Sequence, residues 1–295
     1  MASEMMLAKD LNENGSIISK TWYYSTELRV FCQQWFLRIG LLFYPDNWHR
    51  ARIIGGLLMI MVTVLISYIF LIMAGCRREY AAFGAGIMAW PFGREYYFYA
   101  IWGLYYLSHI ILAMILISLF ISCYKKIETK GTFKLQIMLC LLVSFLCGLN
   151  GIRLIYSVFV PLVLTCLILV FFDKEKKSLK KLYLSMLMLI LGGAGMIFNE
   201  MVLTKNYHFC TFDFISCYSE FPRSIEDLLR DYFCYFGYQP GANIFNFIGI
   251  ASVVGILFGI IVFFCSIRLL LYLKNSILIN RRWWHITILR FGFIY

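Results

Sequence analysis

Long apolar runs separated by short polar segments dominate the chain. Five runs are long enough to cross about 30 Å of hydrocarbon as helices rising about 1.5 Å per residue; they cover residues 53–75, 98–123, 153–172, 182–203 and 244–273. A shorter run at 135–149 ends in the turn sequence Gly148-Leu149-Asn150-Gly151, which predicts a helical hairpin over 135–172 or, alternatively, a partly re-entrant segment. The pattern predicts an all-α fold, a polytopic transmembrane helical bundle of about six spans.

Two amphipathic interfacial helices are predicted beside the spans. Residues 25–43 carry apolar side chains at helical spacing, and Ser25 can cap the start of that helix. This helix would lie on the inner leaflet or pack against the protein's own cytoplasmic face. The second helix, 225–236, begins with a capping-box-like pattern at Ser224 and stops at Gly237.

The apolar stripe of the second helix is expected to be shielded from water by membrane or protein; its central members are Leu228, Leu229, Tyr232 and Phe233. Both helices carry an aromatic pair five residues before a glycine, namely Trp35-Phe36 before Gly40 and Tyr232-Phe233 before Gly237. This shared pattern indicates either an inverted repeat or a coincidence.

Three segments follow from this pattern. Residues 1–52 form a cytoplasmic amino-terminal segment, and residues 53–273 form a six-span membrane domain with an outer loop at 204–243. Residues 274–295 are cytoplasmic or interfacial. Their last ten residues, ITILRFGFIY, resemble the start of a further span, so we expect either a longer protein or an interfacial segment.

Composition indicates lipid as the surrounding solvent. The chain is 61% hydrophobic and 15% charged, whereas soluble domains carry about 25% charged residues. Its net charge of +11 lies in short basic runs between apolar stretches, and no DNA- or RNA-binding motif is present. The expected partner is therefore the lipid bilayer and not a nucleic acid.

The basic residues also predict an orientation. The stretches 124–134 and 173–181 hold nine of them, residues 1–52 hold six, and the sequence from Arg268 onward holds five. The opposite side receives seven: Arg77, Arg78, Arg94, Arg153, Lys205, Arg223 and Arg230. The positive-inside rule then places both termini on the cytoplasmic side. We expect the membrane to be the plasma membrane.

Polar residues near the outer face are the candidate site residues, because polar groups at membrane depth are costly. In the loop 76–97, Arg77, Arg78 and Arg94 could bind phosphate, and Glu79 or Glu95 could act as a base. An aromatic and basic belt at the lipid headgroups is the alternative.

Two further polar pairs lie at predicted helix ends. Asn150 and Arg153 occupy the hairpin turn, where Arg153 either points into a cavity or extends to the interface. Asn199 and Glu200 follow the small-residue run 192–195, which permits close helix packing. Because the corresponding spans end on one side, Arg77 or Arg78, Arg153 and Glu200 are predicted to share one membrane depth.

No cofactor or metal is expected, because the chain lacks nucleotide-binding, hydrolase and metal-ligand motifs. Cys210, Cys217 and Cys234 share the outer loop and form either a disulfide or free thiols.

A resemblance to bacterial envelope proteins of the GT-C glycosyltransferase kind is carried by GLNGIRLIY followed by Pro161, and by FGYQPGANIF before the last span. The resemblance implies an acidic motif in the first outer loop, where this chain offers Glu79 and Glu95 without an aspartate. Three functions fit these observations. They are the handling of a lipid-linked phosphate or glycan substrate at the outer face, transport or flipping, and a non-catalytic role in a membrane assembly.

Overall fold

A computed structural model describes residues 2–24, 28–90, 96–129, 134–173, 176–209, 221–243 and 245–279. Its helices are α1 (Ala2–Glu13), α2 (Gln34–Phe43), α3 (Trp48–Met73), α4 (Arg78–Ile87), α5 (Leu107–Thr129), α6 (Lys134–Gly148), α7 (Val160–Asp173), α8 (Lys176–Phe198), α9 (Phe221–Tyr235) and α10 (Phe247–Ile279). Short π-helical segments occur at Tyr97–Trp102, Ile155–Phe159 and Asn199–Leu203. Two-residue strands, β1 (Tyr23–Tyr24) and β2 (His208–Phe209), pair in parallel. Helices make up the fold, so the predicted helical class is confirmed.

Among the described residues, four helical segments are long and apolar enough to cross a membrane, namely 48–73, 107–127, 178–206 and 247–265. Three shorter apolar helices, 34–43, 134–148 and 155–171, fall at or below the length of about 17 residues that a span needs. The chain therefore has the helices of a membrane protein, with four clear candidate spans.

The surface of α3 shows why lipid suits this fold. Large apolar side chains recur every four residues along its exposed face, at Ile53, Leu57, Met61, Leu65 and Ile69. The opposite, buried face includes Thr63 and Ser67, whose hydroxyls donate to backbone carbonyls one turn earlier at 2.8 and 2.7 Å. A helix on the surface of a soluble protein shows the reverse distribution.

The chain divides into two compact units, one built from residues 1–88 and 105–212 and the other from residues 89–104 and 213–294. In the first unit, α3 and α5 lie side by side and run parallel. The Ser67 hydroxyl lies 3.2 Å from the Met114 sulfur, and the Lys125 ammonium donates to the Met73 carbonyl at 2.6 Å. Because α3 and α5 run parallel, the chain between them must come back to the end at which α3 begins. The prediction that these two spans are consecutive, antiparallel and joined by an outer loop is therefore wrong.

The first unit has two ends, which we name by their residues. The lysine end contains Lys125 and the start of α6, and the asparagine end contains Asn150 and Asn199. Helices α6 and α8 run parallel from the lysine end, since Cys140 contacts Met188 near their middles and Asn199 donates to the Leu149 carbonyl at their ends.

The amino-terminal segment lies at the asparagine end. The Asn150 side chain accepts from the Phe31 N–H at 2.8 Å and donates to the Phe31 carbonyl at 2.7 Å. Asn199 donates to the Leu28 carbonyl at 2.8 Å, and β1 pairs with β2 just after α8. The prediction that residues 1–52 share a side with 124–134 and 173–181 is therefore wrong.

The predicted helix 25–43 is shorter than expected. Helix α2 begins only at Gln34, because residues 28–33 form an irregular segment whose backbone binds the two asparagines. Ser25, the predicted cap, lies outside the described residues. Helix α2 packs against α1 and α3, and Gly40 allows the closest approach, since a Cβ there would lie 1.9 Å from the Ala51 carbonyl oxygen.

Glycines also hold α6 against α8, as the small-residue run predicted. A Cβ on Gly148 would lie 2.0 Å from the Gly192 carbonyl oxygen, and one on Gly195 would lie 2.2 Å from that of Phe145. The two backbones therefore touch directly near the asparagine end.

In the second unit, α9 packs against α10. Helix α9 begins at Phe221 and not at 225, because Pro222 fits the first turn of a helix, so Ser224 is not its cap. The predicted stop at Gly237 is confirmed by a φ of 101° and a bond from the Tyr238 N–H to the Phe233 carbonyl.

Protein shields two members of the predicted α9 stripe, and shielding of the other two by membrane stays a prediction. The Tyr232 hydroxyl donates to the Gly259 carbonyl at 2.9 Å, and Phe233 packs beside it. Leu228 and Leu229 are 69% and 57% exposed. Helix α10 continues to Ile279, beyond the predicted end of the last span at 273.

Candidate functional site

A cavity of about 260 Å³ lies at the asparagine end of the first unit. Helix α1, strand β1, the irregular segment 28–33 and the residues just before α5 surround it. Its lining consists of Ser3, Glu4, Leu7, Trp22, Tyr23, Tyr24, Arg29, Cys32, Gln33, Gln34, Tyr105 and Tyr106. Aromatic walls around a few polar groups are typical of small-molecule sites.

Glu4 and Gln34 form the polar floor of the cavity. The Gln34 Nε2 donates to the Glu4 carboxylate, while the Gln34 Oε1 is buried and has no hydrogen-bond partner within the described residues. The Gln34 Oε1 is therefore enclosed by protein atoms, and the Gln34 amide holds the Glu4 carboxylate in place at the cavity. Burial raises the pKa of Glu4, against the opposing charges of Arg29 and Arg52.

Arg29 and the aromatic residues form the walls. The Arg29 guanidinium donates to the Tyr105 carbonyl at 3.3 Å. The Tyr24 hydroxyl accepts from the Ser19 N–H at 2.8 Å, and burial raises the pKa of Tyr24 to about 12. Burial also raises the pKa of the Cys32 thiol to about 12, so this thiol stays neutral and is a poor nucleophile.

Three residues predicted to bind substrate instead support the cavity wall. Asn150 and Asn199 fix the segment that carries Arg29 and Cys32. The Arg153 guanidinium lies over the Tyr106 ring, 5.5 Å from its centroid. These side chains act on the cavity through its lining residues.

The other predicted site residues do not reach the cavity. Glu200 is exposed, and Arg77, Arg78 and Glu79 are exposed beyond the end of α3. Arg94 and Glu95 lie outside the described residues, as do Cys210 and Cys217, for which either a disulfide or free thiols were expected.

The predicted common depth of Arg77 or Arg78, Arg153 and Glu200 is wrong. Met73, at the end of α3, contacts Lys125, whereas Arg153 contacts Tyr106 just before α5. The stretch from Leu107 to Lys125 rises about 27 Å along the α5 axis. The two arginines at 77 and 78 are therefore separated from the asparagine end by nearly the whole length of a span.

Sequence patterns gave little indication of this cavity. Gln33 and Gln34 fit the polar face of the predicted helix 25–43, although both are buried. The sequence signal lay in its aromatic residues, since WYY at 22–24 and YY at 105–106 supply all five aromatic side chains of the lining.

Known proteins provide no further guide to this site. No family model, no curated protein and no solved structure matches the chain. Among the described residues, no three histidine, cysteine, aspartate or glutamate side chains are grouped to hold a metal ion. The functional assignment therefore depends on the cavity's own chemistry.

Proposed function

We propose that the protein is a multi-pass membrane protein whose amino-terminal cavity binds a neutral, hydroxyl-rich ligand such as a sugar headgroup. The observation that carries this proposal is the pair of hydrogen-bonding groups, Glu4 and Gln34, among the aromatic residues that line the cavity. Both groups accept hydrogen bonds, and sugar hydroxyls donate them.

The mixture of charges in the cavity favours a neutral ligand. An anion would approach Glu4, and a cation would approach Arg29, so each would meet one like charge. A polyol can instead accept from Arg29 and donate to Glu4. Its C–H faces can pack on Trp22 and the tyrosine rings, which are flat and apolar with polar tips.

Binding is favoured over glycosyl transfer or hydrolysis. Glu4 is the single carboxyl that lines the cavity among the described residues, whereas glycosidases commonly use two carboxyl groups. Arg77 and Arg78 lie near the lysine end, away from Arg153 and the cavity, so they offer no support for phosphate binding there. Transport of the bound ligand remains the second candidate function, and a non-catalytic assembly role is the third.

We also propose that the asparagine end faces the outside. Positive residues favour the cytoplasmic side, and the connections 124–134 and 173–181 contribute nine, with Arg77 and Arg78 nearby. The asparagine end receives six from residues 1–52, together with Arg153 and Lys205. The chain would cross with the six predicted spans and return once through residues 74–106.

Saturation-transfer NMR on the purified full chain tests ligand binding. The probes are the methyl glycosides of glucose, mannose and N-acetylglucosamine, in a detergent without a sugar headgroup. We expect saturable binding of at least one glycoside, weakened tenfold or more by Gln34→Leu and by Glu4→Gln. The matched control is Glu13→Gln, because Glu13 is an exposed carboxylate on the same helix.

A second arm separates the sources of a sugar. Binding of the free glycoside is compared in nanodiscs that contain a glycolipid and in nanodiscs that lack it. Loss of glycoside binding only where the glycolipid is present would identify a lipid headgroup as the ligand. Absence of saturable binding in both arms, or equal affinity in the Gln34→Leu and Glu13→Gln variants, would refute the proposal.

A further inference from the structure

Three sulfur atoms from three helices meet inside the first unit, away from the cavity. Cys123 lies on α5, Cys140 on α6 and Met188 on α8, and all three side chains are fully buried. The Cys140 sulfur lies 3.4 Å from the Met188 sulfur, and the Cys123 and Cys140 thiols are in hydrogen-bonding contact. Cys140 therefore lies beside a thiol from α5 and a thioether from α8.

The donor set selects among metals. Thiolate and thioether sulfurs are soft ligands that favour Cu(I), whereas Mg²⁺ and Ca²⁺ take oxygen ligands. Structural zinc sites are closed by four nitrogen or sulfur ligands, and a thioether is not among the usual ones. Three sulfurs without an oxygen or nitrogen ligand suit a low-coordinate Cu(I) ion best.

Charge and position also suit a copper–thiolate complex at this point. Two thiolates with Cu(I) carry one net negative charge, and the Lys126 ammonium interacts electrostatically with Cys123. Cys123 is two residues before Lys125, which marks the lysine end of the unit. On α5 and α6 the two cysteines therefore lie nearer the lysine end than the asparagine end.

We propose that Cys123, Cys140 and Met188 form a binding site for one Cu(I) ion. On binding, each thiol loses its proton to solvent, and two Cu–thiolate bonds and one Cu–thioether bond form. Two protons are released for each ion bound, and copper keeps its oxidation state throughout. The site is independent of the proposed sugar cavity, which lies at the opposite end of α5.

Anaerobic competition with the chelator bicinchoninate tests the site on the purified full chain, with Cu(I) maintained by ascorbate. We expect the wild type to retain one equivalent of copper. Cys140→Ser should weaken binding by a hundredfold or more, and Met188→Leu, which preserves apolar volume, by about tenfold. Cys166→Ser is the matched control, because Cys166 is equally buried but lies on α7.

X-ray absorption of the copper-loaded wild type gives a test that does not depend on variants. A first shell made only of sulfur is expected. Nitrogen or oxygen ligands, failure to retain copper against the chelator, or equal retention by Cys140→Ser and Cys166→Ser would overturn the proposal. Thermal unfolding of each variant without copper shows whether a loss of binding merely reflects a loss of folding.

Discussion

Replacing Asn150 with alanine should detach the irregular segment 28–33 from the helix bundle. The Asn150 side chain is fully buried and makes two hydrogen bonds to the Phe31 backbone, at 2.8 and 2.7 Å. The alanine variant leaves the Phe31 N–H and carbonyl without these partners. Each unsatisfied buried group costs about 1–3 kcal/mol, and partial access of water to Phe31 places the total near 2–4 kcal/mol.

The expected loss is large enough to measure. For a chain of this size, about 1 kcal/mol corresponds to roughly 2–4 °C, so the unfolding temperature in detergent should fall by about 4–16 °C. Trypsin should also cleave faster after Arg29, which lies in the detached segment. The matched control is Asn206→Ala, because Asn206 is exposed and donates a similar bond to the Val202 carbonyl at 2.8 Å.

Equal behaviour of the two alanine variants would refute the role of Asn150. A lower unfolding temperature without faster cleavage after Arg29 would place the damage in the bundle and not in the segment. Faster cleavage at an unchanged unfolding temperature would show that the segment opens locally while the bundle stays folded.

Three further perturbations test the packing, the cavity and the topology. Gly148→Ala should destabilise the protein by about 1–3 kcal/mol through overpacking, whereas Gly193→Ala, whose Cβ would meet nothing within 4 Å, should be nearly neutral in the same thermal assay. Because the pKa of Glu4 is raised, the folded state holds that proton more tightly than the unfolded chain. The Glu4 contribution to stability should be full below pH 4.5 and decline as pH rises through the raised pKa, and Glu4→Gln should lack this decline in unfolding curves. An impermeant maleimide should label the exposed Cys76 from the cytoplasmic side and an Asn206→Cys variant from the outside; the reverse result would invert the proposed orientation.

Four of the six predicted spans correspond to helices long enough to cross a membrane, because apolar length depends little on tertiary context. The run 53–75 became α3 at 48–73, and the stop at Gly237 depended on a local backbone conformation. The small-residue run 192–195 likewise indicated close packing before its partner, α6, was known. These features are encoded within a few turns of the chain.

The segment 28–33 could not be predicted in the same way. Its apolar spacing fits a helix, and nothing local shows that its backbone groups bond elsewhere. Their partners, Asn150 and Asn199, lie 119 and 171 residues away from Phe31 and Leu28 respectively. Residues of this segment line the cavity. Their sequence spacing instead assigned the polar ones to a solvated helix face.

The orientation error has a specific physical cause. The positive-inside rule treats basic residues as solvated charges near the membrane surface. In residues 1–52 several are instead used in tertiary contacts, since Arg38 bonds to Asn12 and the Ser16 carbonyl and Arg29 bonds to the Tyr105 carbonyl. The same 52 residues also contain five acids against six bases. Because these arginines were counted as cytoplasmic charges, the amino-terminal segment was predicted at the lysine end of the bundle instead of the asparagine end. The lysine-rich connections give the same cytoplasmic assignment in either arrangement, so we expect the cavity on the opposite, outer side.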